Sequence, residues 1–363
     1  MNTSHCASLT YKRLENGAPM GFFLYPPSFE NRRTKVPTIV YFHGGGLTVG
    51  NKHSWHPSWL QQRANARGFA FITADYRLMP PATGHSILED VKDLFDFLAK
   101  ENIYKAICAT HPSAVAASYR FEIDKDAIVV AGSSAGGLCA YLAAIHCQPK
   151  PKALFSIYGM GGDFFMPHYL SPKNEVFFRG REVLDPKDFT EFLYPRCNDL
   201  EEIADSPLVY HSADYRIPGY PANPRMLLSR LYLQLGVYLD YYTGSHSPSL
   251  TETLRPLLST SSGSAETNAL ANAVPEKHRC LFPQLQITSD WPCTIFWHGT
   301  ADTAVPIEDA RNLARSLSDA QVNVKFVEFD GEEHSFDYQP NAEEKHGKSF
   351  DQVVDILEDW VTK

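Results

Sequence analysis

The stretch Gly132-Ser133-Ser134-Ala135-Gly136-Gly137 follows an apolar, β-branched run at 127–131 (AIVVA) and precedes a helix-compatible segment at 138–146. A serine hydroxyl held on a sharp strand-to-helix turn can attack a carbonyl carbon. Such a turn imposes unusual backbone angles on the serine. It also brings together the backbones two positions to either side, so those neighbours must lack side chains. Ser134 has glycine at both positions, Gly132 and Gly136, whereas Ser133 has Ala131 and Ala135. Ser134 is therefore the expected nucleophile.

A nucleophilic serine needs three kinds of help. The tetrahedral adduct needs preorganised N–H donors for its oxyanion, and backbone without side chains can approach closely. His43-Gly44-Gly45-Gly46, directly after 36–42 (VPTIVYF), provides such a backbone. The amides of Gly44, Gly45 and Ala135 are the expected donors, with His43 in a supporting role. The hydroxyl proton needs a base, and histidine titrates in the right range. Of 14 histidines, His334 lies in a loop after the last apolar run, 324–329 (VKFVEF). A carboxylate must orient that histidine. Asp302 sits in the turn HGTADTAVP after 294–297 (TIFW). The chain order Ser134, Asp302, His334 is the order that a strand–turn–helix nucleophile of this kind uses. This chemistry needs neither a metal nor an organic cofactor, and none is expected. The seven cysteines show no CxxC pair and no metal-ligand spacing.

The elements that must position these residues are legible as periodicities. Short apolar runs at 36–42, 69–74, 127–131, 153–158, 294–297 and 324–329 suit strands buried on both faces of a parallel sheet. Residues 9–13 and 21–25, separated by Asn16-Gly17, read as an antiparallel hairpin at the sheet edge. Apolar stripes at helical spacing fill 87–98, 307–317 and 350–361. Alternating strands and helices predict a mostly parallel, doubly wound α/β sheet. Residues 160–290 break the rhythm. They carry helical pieces at 188–193, 226–242 and 250–258, and a Ser/Thr/Ala-rich run at 259–273 that composition assigns to a mobile loop. The expected division is a core of 1–159 and 291–363 with a mainly helical cap, 160–290, inserted over the carboxyl edge of the sheet.

Bulk properties narrow the partners. A net charge of −9 with a pI of about 5.9 argues against a nucleic-acid partner and against an anionic membrane surface. No run of about 18 apolar residues suggests a membrane span, and the first twenty residues hold no apolar stretch of signal-peptide length. The expectation is a cytoplasmic protein, monomer or homodimer, acting on a small hydrophobic ester-like molecule.

The HGGG stretch, Asp75-Tyr76-Arg77-Leu78 followed by Pro80, the GSSAGG turn and His334-Ser335-Phe336 together resemble the α/β-hydrolase superfamily. Within it they are similar to the hormone-sensitive-lipase-like, fold-3 esterases, and the overall mix resembles fungal hydrolases. The resemblance implies an α/β-hydrolase fold and a serine esterase. Two departures stand out. HGTADTAVP replaces the usual DPL-like acid motif, and the inserted segment follows the strand at 153–158 rather than extending the N-terminus. The same site could serve amide or formamide cleavage, acyl transfer, or a lyase or cyclisation step in fungal natural-product biosynthesis. A non-catalytic ligand receptor is the alternative of another class. Asp163 is a second candidate for the acid and, with Phe164 and Tyr232, a candidate for the substrate pocket. Arg77, Glu89 and Asp90 are expected to make structural contacts around the glycine loop.

Overall fold

A computed structural model of the chain describes residues 6–28, 34–111, 117–215, 217, 219–259 and 264–362. Eight strands form one sheet in the order β1-β2-β4-β3-β5-β6-β7-β8. The strands are β1 (Ala7–Arg13), β2 (Pro19–Tyr25), β3 (Lys35–Phe42), β4 (Ala70–Ala74), β5 (Glu122–Ser133), β6 (Ala153–Ile157), β7 (Cys293–Gly299) and β8 (Val324–Phe329). The hairpin β1–β2 is antiparallel, and β2 pairs antiparallel to β4. Every pairing from β4 through β8 is parallel.

The helices between β2 and β6 are α1 (Ser58–Ala66), α2 (Gly84–Lys100), α3 (Ile103–Thr110) and α4 (Ala135–His146). Between β6 and β7 come α5 (Pro167–Leu170), α6 (Arg225–Leu235), α7 (Tyr238–Thr243), α8 (Leu250–Leu254), α9 (Ser264–Ala273) and α10 (Glu276–Arg279). The chain closes with α11 (Ile307–Asp319) and α12 (Ala342–Thr362).

Side chains alternate across a strand, so each central strand feeds two cores. Val40, Phe42, Val130, Leu154 and Phe296 face one side and pack with α2, α4 and α11. Ile39, Tyr41, Val129, Phe155 and Trp297 face the other and pack with Trp59 and Leu60 of α1 and Phe350, Val353 and Leu357 of α12. That is the doubly wound arrangement. At about 25 cal/mol per Å² of apolar surface, these two layers supply the main drive for folding. Leu228, Leu231, Tyr238 and Tyr242 of the 160–290 segment are continuous with the first core.

Register aligns the strand ends. Phe42 pairs with Gly132, Ser133 with Ile157, Ile157 with Trp297, and Gly299 with Phe329. The loops after β3, β5, β6, β7 and β8 therefore emerge along one edge of the sheet, where open α/β sheets bind ligands.

Several local expectations are corrected. The stripe at 226–242 is two helices, because Gly236 turns left-handed (φ 64°) and caps α6. A Cβ there would lie 2.7 Å from Pro172 N. The 188–193 piece is a 3₁₀ segment, Pro186–Phe192, and 250–258 is a short α-helix running into the 3₁₀ turn Arg255–Ser259. The run read as a mobile loop forms helix α9 over Ser264–Ala273, with Leu270 buried; residues 260–263 lie outside the described ones. Strand β8 lies at the edge of the sheet and alternates partly buried with exposed residues rather than burying both faces.

Candidate active site

The strand-to-helix turn explains its own glycines. Ser134 adopts φ 54°, ψ −123°, an unfavourable region for a residue with a side chain. Its N–H donates to Ile157 O (3.0 Å), and its carbonyl accepts from Gly137 N (2.9 Å) and Met160 N (2.9 Å). A Cβ on Gly132 would sit 2.0 Å from Gly136 O, and one on Gly136 would sit 2.0 Å from Phe42 O. The backbones cross where the sequence has no side chains. The neighbouring hydroxyl is already engaged: Ser133 Oγ and Tyr41 Oη share a hydrogen bond of 2.6 Å.

The turn after β7 and the loop after β8 meet at a carboxylate and an imidazole. His334 Nδ1 lies 2.7 Å from Asp302 Oδ2. Asp302 Oδ1 accepts from the N–H groups of Ala304 and Val305, each at 2.9 Å. His298 Nε2 lies 2.8 Å from Val305 O and 3.3 Å from Asp302 Oδ2. Burial alone would raise the Asp302 carboxyl. The adjacent His334 and His298 outweigh that and hold it well below the usual carboxylate range. An ionised Asp302 accepts a hydrogen bond from the Nδ1–H of His334, which leaves Nε2 as the basic nitrogen.

Glu333 fastens the two loops together. Its carboxylate accepts from Thr303 N (2.8 Å), Thr303 Oγ1 (2.5 Å) and His334 N (2.7 Å). The Tyr158 ring lies 4.5 Å from the His334 ring, and Tyr158 donates its hydroxyl proton to buried Asp337 (2.5 Å). Neither role was visible in the sequence. Glu333 is one of two adjacent glutamates, and Tyr158 ends an apolar run like any core residue.

The glycine loop after β3 is held from several sides. Gly45 has φ 106°, and a Cβ there would fall 2.2 Å from Val49 O. The His43 ring stacks on Tyr76 (4.3 Å), and Tyr76 donates to His43 O (2.7 Å). Burial lowers the His43 pKa to about 4, so its imidazole is neutral and fits the supporting role. Below the loop, Lys52 pairs with Asp75 (2.7 Å), while Arg77 engages Asp90, Glu89 and Glu202. From above, helix α6 lies on the loop. A Cβ on Gly46 would be 2.1 Å from Ser229 Cβ.

A cavity of about 410 Å³ joins these parts. Its lining includes Gly44, Gly45, Ser134, Tyr158 and His334. Ala135 is fully buried at the start of α4, where first-turn N–H groups have no intrahelical partner, so only its backbone can contribute. The structure thus brings together Ser134, His334, Asp302 and the glycine loop.

The other three residues are placed elsewhere. Asp163 is an anchor: its carboxylate accepts from Phe165 N (3.0 Å) and Asn312 Nδ2 (2.8 Å), and the carboxylate on His334 is Asp302. Phe164 is fully buried against Tyr169, Tyr242 and Phe282. Tyr232 is fully buried too, stacked on Tyr241 at 3.7 Å and donating to Phe192 O (2.8 Å). None of the three lines the cavity. Among the described residues, no group of three or more His, Cys, Asp or Glu side chains is gathered to hold a metal, and no helix is long and apolar enough to cross a membrane.

Residues 39–216 match the family described as alpha/beta hydrolase fold. The protein named "Probable carboxylesterase M8" of a Phoma strain is 30% identical over 183 residues, covering 49% of this chain and 52% of the relative. A non-reducing polyketide synthase of Aspergillus calidoustus is 24% identical over 335 residues, covering 88% of this chain but 12% of that one. This chain thus spans about half the length of the first relative and a small part of the second. Among solved structures, an alpha/beta hydrolase superfamily protein from Enterococcus faecalis superposes with TM-score 0.59 at 17% identity, covering 98% of each chain. A thermophilic esterase from Thermogutta terrifontis superposes with TM-score 0.55 at 15% identity, covering 98% of this chain and 92% of the other.

Proposed function

We propose that this chain, whose residues 39–216 match the alpha/beta hydrolase fold family and whose fold superposes on that of an alpha/beta hydrolase superfamily protein, hydrolyses a carboxylic ester through Ser134, His334 and Asp302. His334 Nε2 takes the hydroxyl proton as Ser134 Oγ attacks the carbonyl carbon. The amides of Gly44, Gly45 and Ala135 receive the developing oxyanion. Collapse expels the alcohol, which takes the proton back from His334, and leaves an acyl ester on Ser134. Water, deprotonated by His334, attacks that ester, and the acid departs with Ser134 restored. Asp302 keeps the ring in the useful tautomer and stabilises the imidazolium.

The observation that supports this most is the 2.7 Å contact between His334 Nδ1 and Asp302 Oδ2, at a cavity that Ser134 and His334 both line. In this reading residues 160–290 act as a cap on the core formed by 1–159 and 291–363. Val49, Trp55, Met160, Leu227 and Leu233 supply apolar walls that suit a hydrophobic acyl chain. Ser134→Ala should lower kcat for 4-nitrophenyl butyrate by about 10⁴-fold or more, with melting temperature unchanged. A folded Ser134→Ala protein with wild-type activity would refute the mechanism.

The similarity to a polyketide synthase across most of this chain favours a second reading of the same serine, acyl transfer to an alcohol or amine in place of water. Product analysis with an added acceptor separates the two. The ester or amide appears in one case and free acid in the other.

A further inference from the structure

The cavity wall holds a charge that ester hydrolysis does not use. Arg230, on α6, lines the same cavity as Ser134, and its side chain is 6% exposed. One nitrogen, Nη2, meets Glu182 at 3.1 Å. The other two, Nε and Nη1, have no hydrogen-bond partner among the described residues. A buried guanidinium with two unpartnered N–H groups is costly, and native proteins keep such a group where something else satisfies it. Arg179 and Arg181, both exposed, line the same cavity. Among the described residues, the charged residues of the lining are three arginines and Glu182, together with His334, in a chain of net charge −9. A local positive cleft in an acidic protein attracts an anion and holds it.

Resting on the hydrolytic reading above, we propose that the ester cleaved here carries a free carboxylate, which Arg230 receives with Arg179 and Arg181 at the rim. The Arg230–Glu182 contact shows this guanidinium already holding one carboxylate. Planar carboxylates suit the guanidinium fork. The apolar walls take the chain between the two functional groups, so the substrate class is an acid with an ester at some distance along an apolar body.

The test compares mono-4-nitrophenyl octanedioate with its methyl-capped ester at neutral pH. Chain and leaving group are the same, and only the distal charge differs. The free acid should show a kcat/KM about tenfold or more above the capped ester, and the ratio should fall as salt is raised. Arg230→Met should bring the ratio to within about threefold of one, and Arg230→Lys should restore part of it. A wild-type ratio at or below one overturns the proposal, as does Arg230→Met lowering both esters equally. If Arg230→Met does not fold, the salt dependence of the wild-type ratio and its reduction in Arg181→Ala decide. Calorimetric binding of octanedioate to Ser134→Ala, lost in Ser134→Ala/Arg230→Met, needs no turnover. No binding there overturns the proposal. Binding without hydrolysis of either ester by the wild type leaves the carboxylate site standing and removes the esterase reading.

Discussion

Replacing Asp302 by asparagine changes one atom and should nearly abolish turnover, for a reason fixed by the backbone. Asp302 Oδ1 accepts two N–H groups, from Ala304 and Val305, both at 2.9 Å. These donors cannot change sign. In Asp302→Asn the amide oxygen must stay on that side, because an NH₂ there would face two donors. The NH₂ is then driven to the Oδ2 position, 2.7 Å from His334 Nδ1. Facing a donor, Nδ1 must give up its proton and accept. The ring is forced into the tautomer protonated at Nε2, which cannot take a proton from Ser134. The loss is about 10⁴ in kcat, the scale known for this change in serine triads, or about 5 kcal/mol of activation free energy. The fold should survive, since a buried charge is removed rather than stranded. The same NH₂ would face His298 Nε2, 3.3 Å from Oδ2 in the wild type, at a cost of about 1 kcal/mol. The assay is kcat on 4-nitrophenyl butyrate, the rate of fluorophosphonate labelling and a thermal melt. Activity above about a tenth of wild type, in a folded variant, would mean that His334 does not depend on Asp302 for its tautomer.

Three further outcomes follow from the geometry. Gly44→Ala should fold, because its new methyl would meet Ser133 O at 3.2 Å and Ser134 Cβ at 3.3 Å, tight but not prohibitive. It should lower kcat/KM by about 10²-fold by occupying space beside the nucleophile; unchanged kcat/KM would remove Gly44 from the oxyanion site. Gly136→Ala should not accumulate as soluble protein, since its Cβ would lie 2.0 Å from Phe42 O, a backbone atom that cannot yield; a melting temperature within about 5 °C of wild type would contradict the crossing of backbones at the turn. Asp309, fully buried, has its pKa raised to about 7 by burial, with the charge of Asp163 adding to it despite hydrogen bonds from Tyr169, Gly161 N and Asp163 N. The folded state therefore binds a proton that the unfolded state releases near pH 4. The stability from that proton is complete below about pH 4 and is lost as pH rises through about 7. Chemical denaturation at pH 5 and pH 8 should show Asp309→Asn losing part of this pH dependence; equal curves for variant and wild type would rule it out.

The fold was legible because its signals are local. A β-branched run ending in glycines marks a strand whatever lies elsewhere, and the three helical stripes at 87–98, 307–317 and 350–361 match α2, α11 and α12. The elbow was legible for the same reason. The glycines at 132 and 136 are a steric record of a backbone crossing, and they point to Ser134 over Ser133. What failed was the division of aromatic side chains between pocket and core. Phe164 and Tyr232 lie in an aromatic-rich region that composition cannot divide into pocket and core, and both went into the core. The helix at 264–273 was hidden by its serine, threonine and asparagines, although its alanines favour helix and Leu270 anchors it. Asp309 stands in the first turn of α11, where an acidic residue is ordinary and signals nothing; the structure points it inward to the loop after β6. In each case the deciding contact joins residues far apart in the chain.

Helix α6 shows how far that long-range character reaches into chemistry. Ser229 rests on Gly46 of the glycine loop, and Thr48 Oγ1 donates to Arg225 O (2.9 Å). Arg225 Nη2 donates to Pro80 O (2.7 Å) beyond it, and Tyr238, just past α6, donates to Gly46 O (3.2 Å). The next residue after Ser229 is Arg230, on the cavity wall. One helix between β6 and β7 thus holds the glycine loop and carries the guanidinium of the cavity wall. Moving α6 as a lid would break these contacts and disturb the amides proposed to receive the oxyanion. The exposed wall formed by Arg179, Arg181 and Glu182 meets the acid loop through Arg179 N, which donates to Thr303 Oγ1 (2.8 Å). Substitutions along that wall can change what the cavity accepts while leaving the glycine loop in place. Substitutions on the inner face of α6 change selectivity and oxyanion geometry together.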